Sequence, residues 1–368
     1  NLVVEGEYSG SPLDLLRLTQ HIEKEINLGP KLHNSPRALD IDLLWWGEET
    51  HFWPHLQIPH PRALKRNFVL SPMLYLRPDW YPPGSSLSIL ELSRLLPQSL
   101  KATMAIINLT PDSFSDGGSY IDKASLSQQL LKAVNSGVSF LDLGAESTRP
   151  NAHPLSSEEE WQRLLPALEI LKTILPKKSC RPWISIDTYR PETLMRAAEW
   201  YLDLANDVSG LISPEYIKAV GDLSLPVIAM HNLGIPANPM LTLAKDTSIV
   251  PTLEKWFLLT LERATKAGIQ AKNIYFDPGV GFGKTAHQSL EILQNVSKLS
   301  RLGAPLLIGH SRKSFLSLFF SSVSSGRDAE TLGASLALLN KPIEILRVHN
   351  FEAHLKAQLV FEGIRQNE

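Results

Sequence analysis

Eight short apolar runs in this chain each end in a polar or ionisable residue. In order, the ends are Asn108, Asp142 with Glu146, Asp187, Asn206 with Asp207, His231, Asp277, the run Ser311-Arg312-Lys313, and Arg347 with His349. Asp187, Asn206 and Asp277 supply carboxylates and an amide, which suit the N–C–N edge of a flat heterocycle held by paired hydrogen bonds. Lys313, Arg347 and His349 supply positive charge for a phosphate. Asn108 supplies an oxygen that can ligate a hard cation such as Mg²⁺ beside that phosphate. The run from Asp277 to Lys284 (DPGVGFGK) gives backbone freedom close to a ligand, with Phe282 as a wall. Phe114 stands among polar residues in the loop after Asn108, where an aromatic more often covers a ligand than a core. One Asp at a strand end is more often a helix cap, and Asp187 before Thr188 fits that role alone. Eight such ends on one rim are not explained by capping.

Those ends need a frame. The apolar runs are Thr103–Ile107, Val138–Leu143, Trp183–Ile186, Leu202–Ala205, Pro226–Met230, Ile274–Phe276, Pro305–Ile308 and Ile343–Val348. Helical spacing separates most of them, as in Leu126–Val134, Glu158–Leu175, Pro191–Trp200, Leu253–Ala267 and Gln288–Leu299. Eight strands alternating with helices predict a (β/α)8 TIM barrel, with its site at the C-terminal strand ends and its phosphate near the last two strands. The rival, a doubly wound open sheet, would carry a glycine fingerprint after the first strand, and none is present.

Before the barrel the pattern is mixed α/β. Leu2-Val-Val4 and Leu39–Trp46 read as short strands, and Pro12–Ile26 has helical spacing with Ser11-Pro12 as its start signal. We place a first domain at residues 1–85, a linker at 86–101 and the barrel at 102–368. Asp40 and Asp42 lie two apart on the second of these strands, so both carboxylates face one side. On that spacing alone, a solvent-facing strand edge is favoured over a Mg²⁺ site.

Composition removes several classes. A chain of 368 residues with 43% hydrophobic residues is too long for one core and ordinary for two domains. A net charge of −2 without a basic stripe gives no case for nucleic acid. One cysteine, Cys180, excludes an internal disulfide framework. No apolar run reaches the length of a membrane span. The chain opens at Asn1 on a strand-like run rather than at Met, so we expect a fragment whose targeting segment would be invisible.

At this point the residues resemble a family. Asn108-Leu-Thr-Pro-Asp-Ser-Phe-Ser-Asp-Gly-Gly118, Asp142-Leu-Gly-Ala-Glu-Ser-Thr-Arg-Pro150, Ser185-Ile-Asp-Thr188, Asn206-Asp207, Asp277 to Lys284, Ser311-Arg-Lys-Ser314 and Arg347-Val-His349 together resemble dihydropteroate synthase over residues 102–365. Asn151 departs from the glycine usual there. The resemblance implies condensation of 6-hydroxymethyl-7,8-dihydropterin diphosphate with p-aminobenzoate. It implies Asn108 at the Mg²⁺-diphosphate, and Asp187, Asn206 and Asp277 as pterin anchors with Asp142 as a support beneath. Lys313 and Arg347 would bind the pterin, Arg347 also the diphosphate, and His349 the anion. Phe114, Ser147, Thr148, Arg149, Pro150, Phe282 and Ser311 would form the p-aminobenzoate side, where sulfonamide-type competitors would also bind. The resemblance further implies a homodimer through the barrel and a cytoplasmic location, with an organelle as the alternative.

The first domain resembles 6-hydroxymethyl-7,8-dihydropterin pyrophosphokinase, whose product the synthase consumes. The match runs through Glu23, Pro36-Arg37-Ala-Leu-Asp40-Ile-Asp42, Pro59-His-Pro-Arg62 and Arg66-Asn-Phe-Val-Leu70. This reverses the preference at the Asp pair: Asp40 and Asp42 would hold Mg²⁺. Arg37, His60 and Arg66 would contact the phosphates of ATP, while Asn1, Glu23 and Phe68 would contact the pterin. The fold implied is an incomplete ferredoxin-like α+β domain. Its opening half would lie before Asn1, so we expect kinase activity in a longer parent rather than in this chain. Alternatives are a pterin-binding methyltransferase barrel, which would not need Ser311-Arg-Lys313, and a non-catalytic pterin-binding protein, which would not need Asn108, Lys313 and Arg347 intact.

Overall fold

The computed structural model describes residues 2–26, 39–77, 79–89, 91–92, 101–110, 122–146, 154–175, 181–235, 241–320 and 326–365. Asn1, Arg37, Phe114, Ser147, Thr148, Arg149 and Pro150 lie outside the described residues, as does Cys180. The chain divides into two compact units, Asn1–Gln98 and Ser99–Glu368.

In the first unit, helix Pro12–Ile26 begins where Ser11 and Asp14 exchange hydrogen bonds between side chain and backbone. A hairpin follows, β1 (His51–Trp53) antiparallel to β2 (Leu56–Ile58). Helix Asn67–Leu76 then packs Val69, Leu70 and Met73 with Ala63 and Ile89. Among the described residues, two expected strands are absent. Leu2-Val-Val4 is unpaired in any sheet, with Leu2 and Val4 exposed. Residues 39–45 form no ladder, and Trp46 makes only a single bridge to Glu49. The reason is where the backbone groups go: the Ile41 N–H binds the Glu23 carboxylate, and the Leu44 carbonyl accepts from His60 N–H. The alternation survives without a sheet, so Asp40 and Asp42 are both exposed while Ile41 and Leu43 are half-buried.

The second unit is the expected barrel. Its strands are β3 (Ala102–Asn108), β4 (Phe140–Gly144), β5 (Trp183–Asp187), β6 (Leu202–Asp207), β7 (Val227–Met230), β8 (Ile274–Asp277), β9 (Leu307–Ile308) and β10 (Ile345–Val348). All pair in parallel, in the order β8-β7-β6-β5-β4-β3-β10-β9. A bridge between Phe276 and Leu306, with Phe276 N–H donating to Pro305, closes β8 onto β9. Helices lie between the strands, and their starts are legible. Ser156 and Thr285 make full capping boxes before Ser157–Ile174 and Ala286–Gln294, and Asp122 caps Lys123–Ser136. Helices Pro214–Asp222, Asp328–Leu338 and Phe351–Arg365 add to those expected from spacing.

Strand period positions the site. Met104, Phe140, Leu204, Ile228, Leu307 and Ile345 form a separate apolar cluster, with Trp183 and Tyr275 against it. Every strand contributes to it, β3 through Ala102 as well as Met104, so this cluster plugs the barrel's interior. Two residues further along each strand the same face presents Ile106, Asp142, Ser185, Asn206, Met230, Asp277, Gly309 and Arg347. The large core outside the strands, including Leu141, Leu143, Ile184, Ile186, Ala205 and Phe276, belongs to the opposite face and meets the helices.

Candidate active site

The layer above the apolar plug is held together by one arginine. Arg347 Nε and Nη2 reach Asp142 Oδ2 at 2.7 Å, and Nη2 reaches Asp187 Oδ2 at 2.7 Å. Burial opposes the charge on Arg347, but Asp142 and Asp187 more than offset it, so it stays protonated. Asp142 is fully buried and also accepts from Asn206 Nδ2 at 3.1 and 3.2 Å. The Asn206 amide nitrogen is therefore committed to the floor, and its oxygen is the atom left for a ligand. Asp187 is pushed up to about 7 by burial, with Arg347 pulling against it.

Asp277 is buried at the end of β8. Gly279 N–H donates to its Oδ1 at 2.7 Å. Burial raises its pKa, while the Gly279 bond and the charges of Arg347, Lys313 and Lys284 lower it. Gly279 has φ +67, and a Cβ there would lie 1.9 Å from the His231 carbonyl oxygen. Only glycine permits that approach. The same loop carries Phe282, whose ring lies 3.9 Å below Lys313 Nζ. Burial draws Lys313 down to about 8.

His349 differs from the charge expected of it. Its backbone N–H donates to Ser311 Oγ, and the Ser311 hydroxyl faces His349 Nδ1 at 2.9 Å. Burial, with Arg312, Arg347 and Lys313 nearby, holds His349 down to about 3, so it is neutral at pH 7. It can offer an anion an N–H but no charge. Asn108 is half-buried at the end of β3, paired in register with Gly144. Among the described residues no group of three His, Cys, Asp or Glu could hold a metal. One carboxamide oxygen fits Mg²⁺ only where phosphate oxygens and water complete the shell.

The strand-end residues Asp142, Asp187, Asn206 and Arg347 are thus brought into direct contact, as are Ser311 with His349 and Lys313 with Phe282. Asp207 and His231 are not part of that contact set. The Asp207 carboxylate accepts the N–H groups of Ser209 and Leu211 and shapes its own loop. Reading from sequence missed two supports. Arg190 pairs with Glu146 and with buried Glu160, which also accepts from Thr188 and Thr193. Lys284 and His231 make the other. A charged residue just past a strand end was the available signal for both, but it cannot say which neighbour is met.

In the first unit Arg66 Nη1 lies 3.5 Å from Asp42 Oδ2, and its guanidinium lies 5.2 Å from the Phe68 ring. Burial, with Arg66 and Arg62 nearby, lowers the pKa of His60 despite Asp42. Glu23 is occupied by the Ile41 N–H.

A closed parallel barrel that gathers buried carboxylates, an amide and basic side chains at the C-terminal ends of its strands has the architecture of a barrel enzyme with its site at that mouth. The profile of the pterin binding enzyme family matches residues 104–349, and that of 7,8-dihydro-6-hydroxymethylpterin-pyrophosphokinase matches residues 1–78. A folate synthesis bifunctional protein of Chlamydia muridarum is 36% identical, over 96% of this chain and 83% of that protein. Xanthomonas albilineans dihydropteroate synthase, solved with 4-aminobenzoic acid, is 31% identical with a TM-score of 0.65, over 74% of this chain and 96% of that one. Yersinia pestis dihydropteroate synthase, solved as a sulfonamide drug complex, is 31% identical with a TM-score of 0.63 and the same coverage. The chain belongs to the pterin-binding enzyme family. Its barrel is a dihydropteroate synthase, a transferase of folate biosynthesis, in a bifunctional arrangement with a pyrophosphokinase-type segment before it.

Proposed function

We propose that the barrel joins p-aminobenzoate to 6-hydroxymethyl-7,8-dihydropterin diphosphate. The observation that carries this reading is the single layer in which Arg347 ties Asp142 to Asp187, with Asn206 on the same floor. Asp187, the Asn206 oxygen and Asp277 bind the pterin edge. Lys313 hydrogen-bonds the pterin, and Arg347 lies over it and helps hold the diphosphate. His349 donates an N–H to the anion. Phe282 and Ser311 flank the p-aminobenzoate, with Phe114, Ser147, Thr148, Arg149 and Pro150 assigned to the same side by resemblance. A sulfonamide-type competitor would occupy that side.

The arylamine is neutral at pH 7, so no strong base is needed. Its nitrogen attacks the methylene carbon, the C–O bond to the diphosphate breaks, and the electron pair leaves with pyrophosphate. The proton lost from nitrogen goes to solvent. Fixed positive charge preorganised at the leaving group lowers that barrier. Mg²⁺ held by Asn108 and the diphosphate would add Lewis-acid stabilisation of the leaving group. Pyrophosphate release measured with and without p-aminobenzoate tests the reading: release should require the amine and match dihydropteroate formed. A pterin diphosphate that binds but never turns over would favour a non-catalytic pterin-binding protein instead.

Asn108→Ala should raise the Mg²⁺ concentration for half-maximal turnover about tenfold, a loss comparable to one good charge-assisted contact, and leave the KM for p-aminobenzoate within about twofold. Mg²⁺ titrations at fixed substrate read this directly, and equal changes in both would remove Asn108 from the metal.

For the first unit we propose residues 1–85 as the pyrophosphokinase-type domain and 86–101 as the segment leading to the barrel at 102–368, with Ile89 of that segment packed into the first unit's core. Asp40 and Asp42 would hold Mg²⁺ with ATP, His60, Arg66 and Arg37 its phosphates, and Glu23, Phe68 and Asn1 the pterin. The exposed, same-sided Asp pair beside Arg66 supports this. We further propose a homodimer through the barrel. A groove of about 720 Å³ lined by Leu293, Phe315, Leu316, Ala334 and Leu338, beside exposed Phe319 and Phe320, supports it. Phe319→Asp should shift sedimentation from dimer to monomer, and a wild-type monomer would end the proposal. We propose a cytoplasmic site of action, the default for folate synthesis, with an organelle as the alternative. No helix among the described residues is long and apolar enough to cross a membrane.

A further inference from the structure

Lys284 closes the loop that begins at Asp277, yet it does not reach the open site. It is only 6% exposed. Its Nζ donates to His231 Nδ1 at 2.9 Å, to the Phe282 carbonyl at 2.8 Å and to the Gly279 carbonyl at 3.0 Å, with the His231 carbonyl at 3.4 Å. Every one of these partners is neutral. Burial and the Lys284 charge hold His231 down to about 3, which keeps Nδ1 free to accept. The loop curls around this one nitrogen. Gly279, Gly281 and Gly283 have φ values of +67, +78 and +59. Burial draws Lys284 down to about 7, with Asp277 pulling the other way; in either protonation state its N–H donors must be satisfied out of water, and here carbonyls of the loop itself satisfy them.

The loop is coupled outward to the substrate side. Phe282 lies between its own carbonyl, bound by Lys284, and its ring, which carries Lys313 Nζ at 3.9 Å. Gly281 packs so tightly on Lys313 that a Cβ would lie 3.1 Å from Lys313 Cδ. Lys284 fixes the backbone and the backbone fixes the Phe282 ring, whose face lies against Lys313 Nζ. The end of β7 enters the same knot through His231, whose N–H donates to the Asp277 carbonyl.

We propose that Lys284 is a positioning residue for the arylamine: its caged Nζ, held by His231 and the glycine loop, sets where the Phe282 ring stands. This rests on the assignment of Phe282 to the p-aminobenzoate side. Lys284 touches neither substrate, and its reach toward the pterin edge is indirect: its charge is the last of three that lower Asp277, after Arg347 and Lys313, so a small loss of pterin affinity accompanies the larger effect on the amine.

The test is a double-mutant cycle in the full chain, read as KM for p-aminobenzoate and affinity for the pterin diphosphate. Lys284→Met should raise the KM about tenfold and change pterin affinity less than about threefold, a split that a general loss of structure would not give. Phe282→Leu should raise the same KM, and adding Lys284→Met to it should cost nothing further, because both act through one ring. Multiplying effects in the double variant, or equal losses for both ligands, overturn the proposal while leaving the site reading intact. An unchanged KM in Phe282→Leu alone overturns the site reading and this proposal with it. Should Lys284→Met fail to fold by circular dichroism, His231→Leu removes one of the four acceptors. It should raise the KM about threefold in the same non-additive way, and an unchanged KM there also overturns the proposal.

Discussion

Arg347→Met is expected to abolish synthase turnover and to destabilise the barrel by about 3 kcal/mol or more, the usual cost of removing one partner of a buried ion pair. Among the described residues, Arg347 is the one cation bonded to both Asp142, which is fully buried, and Asp187. The Asp187 side chain is 19% exposed, so part of its loss is recovered by water and the lower end of the range applies. The variant also has a pH signature. Asp187 has an ordinary value of 3.8 and is raised to about 7 in the folded chain. A carboxyl raised on folding holds a proton that the unfolded chain has released. Its stabilising contribution is full below about 3.8 and is lost as pH rises through the folded value. Removing Arg347 removes the charge that pulls Asp187 down, so the folded value moves higher. Thermal unfolding should then show the variant still losing stability between pH 7 and pH 8, relative to the wild type. Parallel pH profiles for the two proteins would mean that Arg347 does not control Asp187.

Gly279→Ala should be nearly as damaging, for a steric reason. The left-handed backbone alone costs an alanine about 1–2 kcal/mol. Gly303, with φ +78 and open space around its Cβ position, isolates that term. At Gly279 the Cβ would in addition lie 1.9 Å from the His231 carbonyl oxygen. That oxygen cannot simply retreat, since the His231 N–H is bound to Asp277. The loop must move instead, taking the Gly279 N–H off Asp277 and the Gly279 carbonyl off Lys284. Calorimetric titration should show pterin diphosphate affinity down at least a hundredfold in Gly279→Ala, because the support of a buried carboxylate is lost, and within about twofold in Gly303→Ala. Equal effects at the two glycines would mean that strain alone, not the contact, sets the cost.

How much of this was readable in advance depends on the physics of each feature. The barrel was legible because each strand is a short apolar run bounded by polar residues, and its helices begin on side chains such as Ser156 and Thr285 that cap by type. The candidate anchors were legible for the same reason: Asp142, Asn206, Asp277 and Arg347 each sit two residues beyond a plug residue on the same strand face. Leu39–Trp46 misled because alternation is a property of an extended chain, whereas a strand also needs a partner. Here, among the described residues, Glu23 takes the Ile41 N–H and His60 binds the Leu44 carbonyl instead.

The sequence by itself determined which residues face the mouth of the barrel, since strand period and strand length are local and need no knowledge of neighbours. Only the tertiary structure decided whom they meet. Arg347 reaches Asp142 across 205 residues of chain, and Lys284 reaches His231 across 53. Such pairings are set by closure of the sheet and by the path of a glycine loop. The charge state of each group follows from them: His349, whose type promised a cation, is neutral because burial beside Arg312, Arg347 and Lys313 makes a proton there too costly.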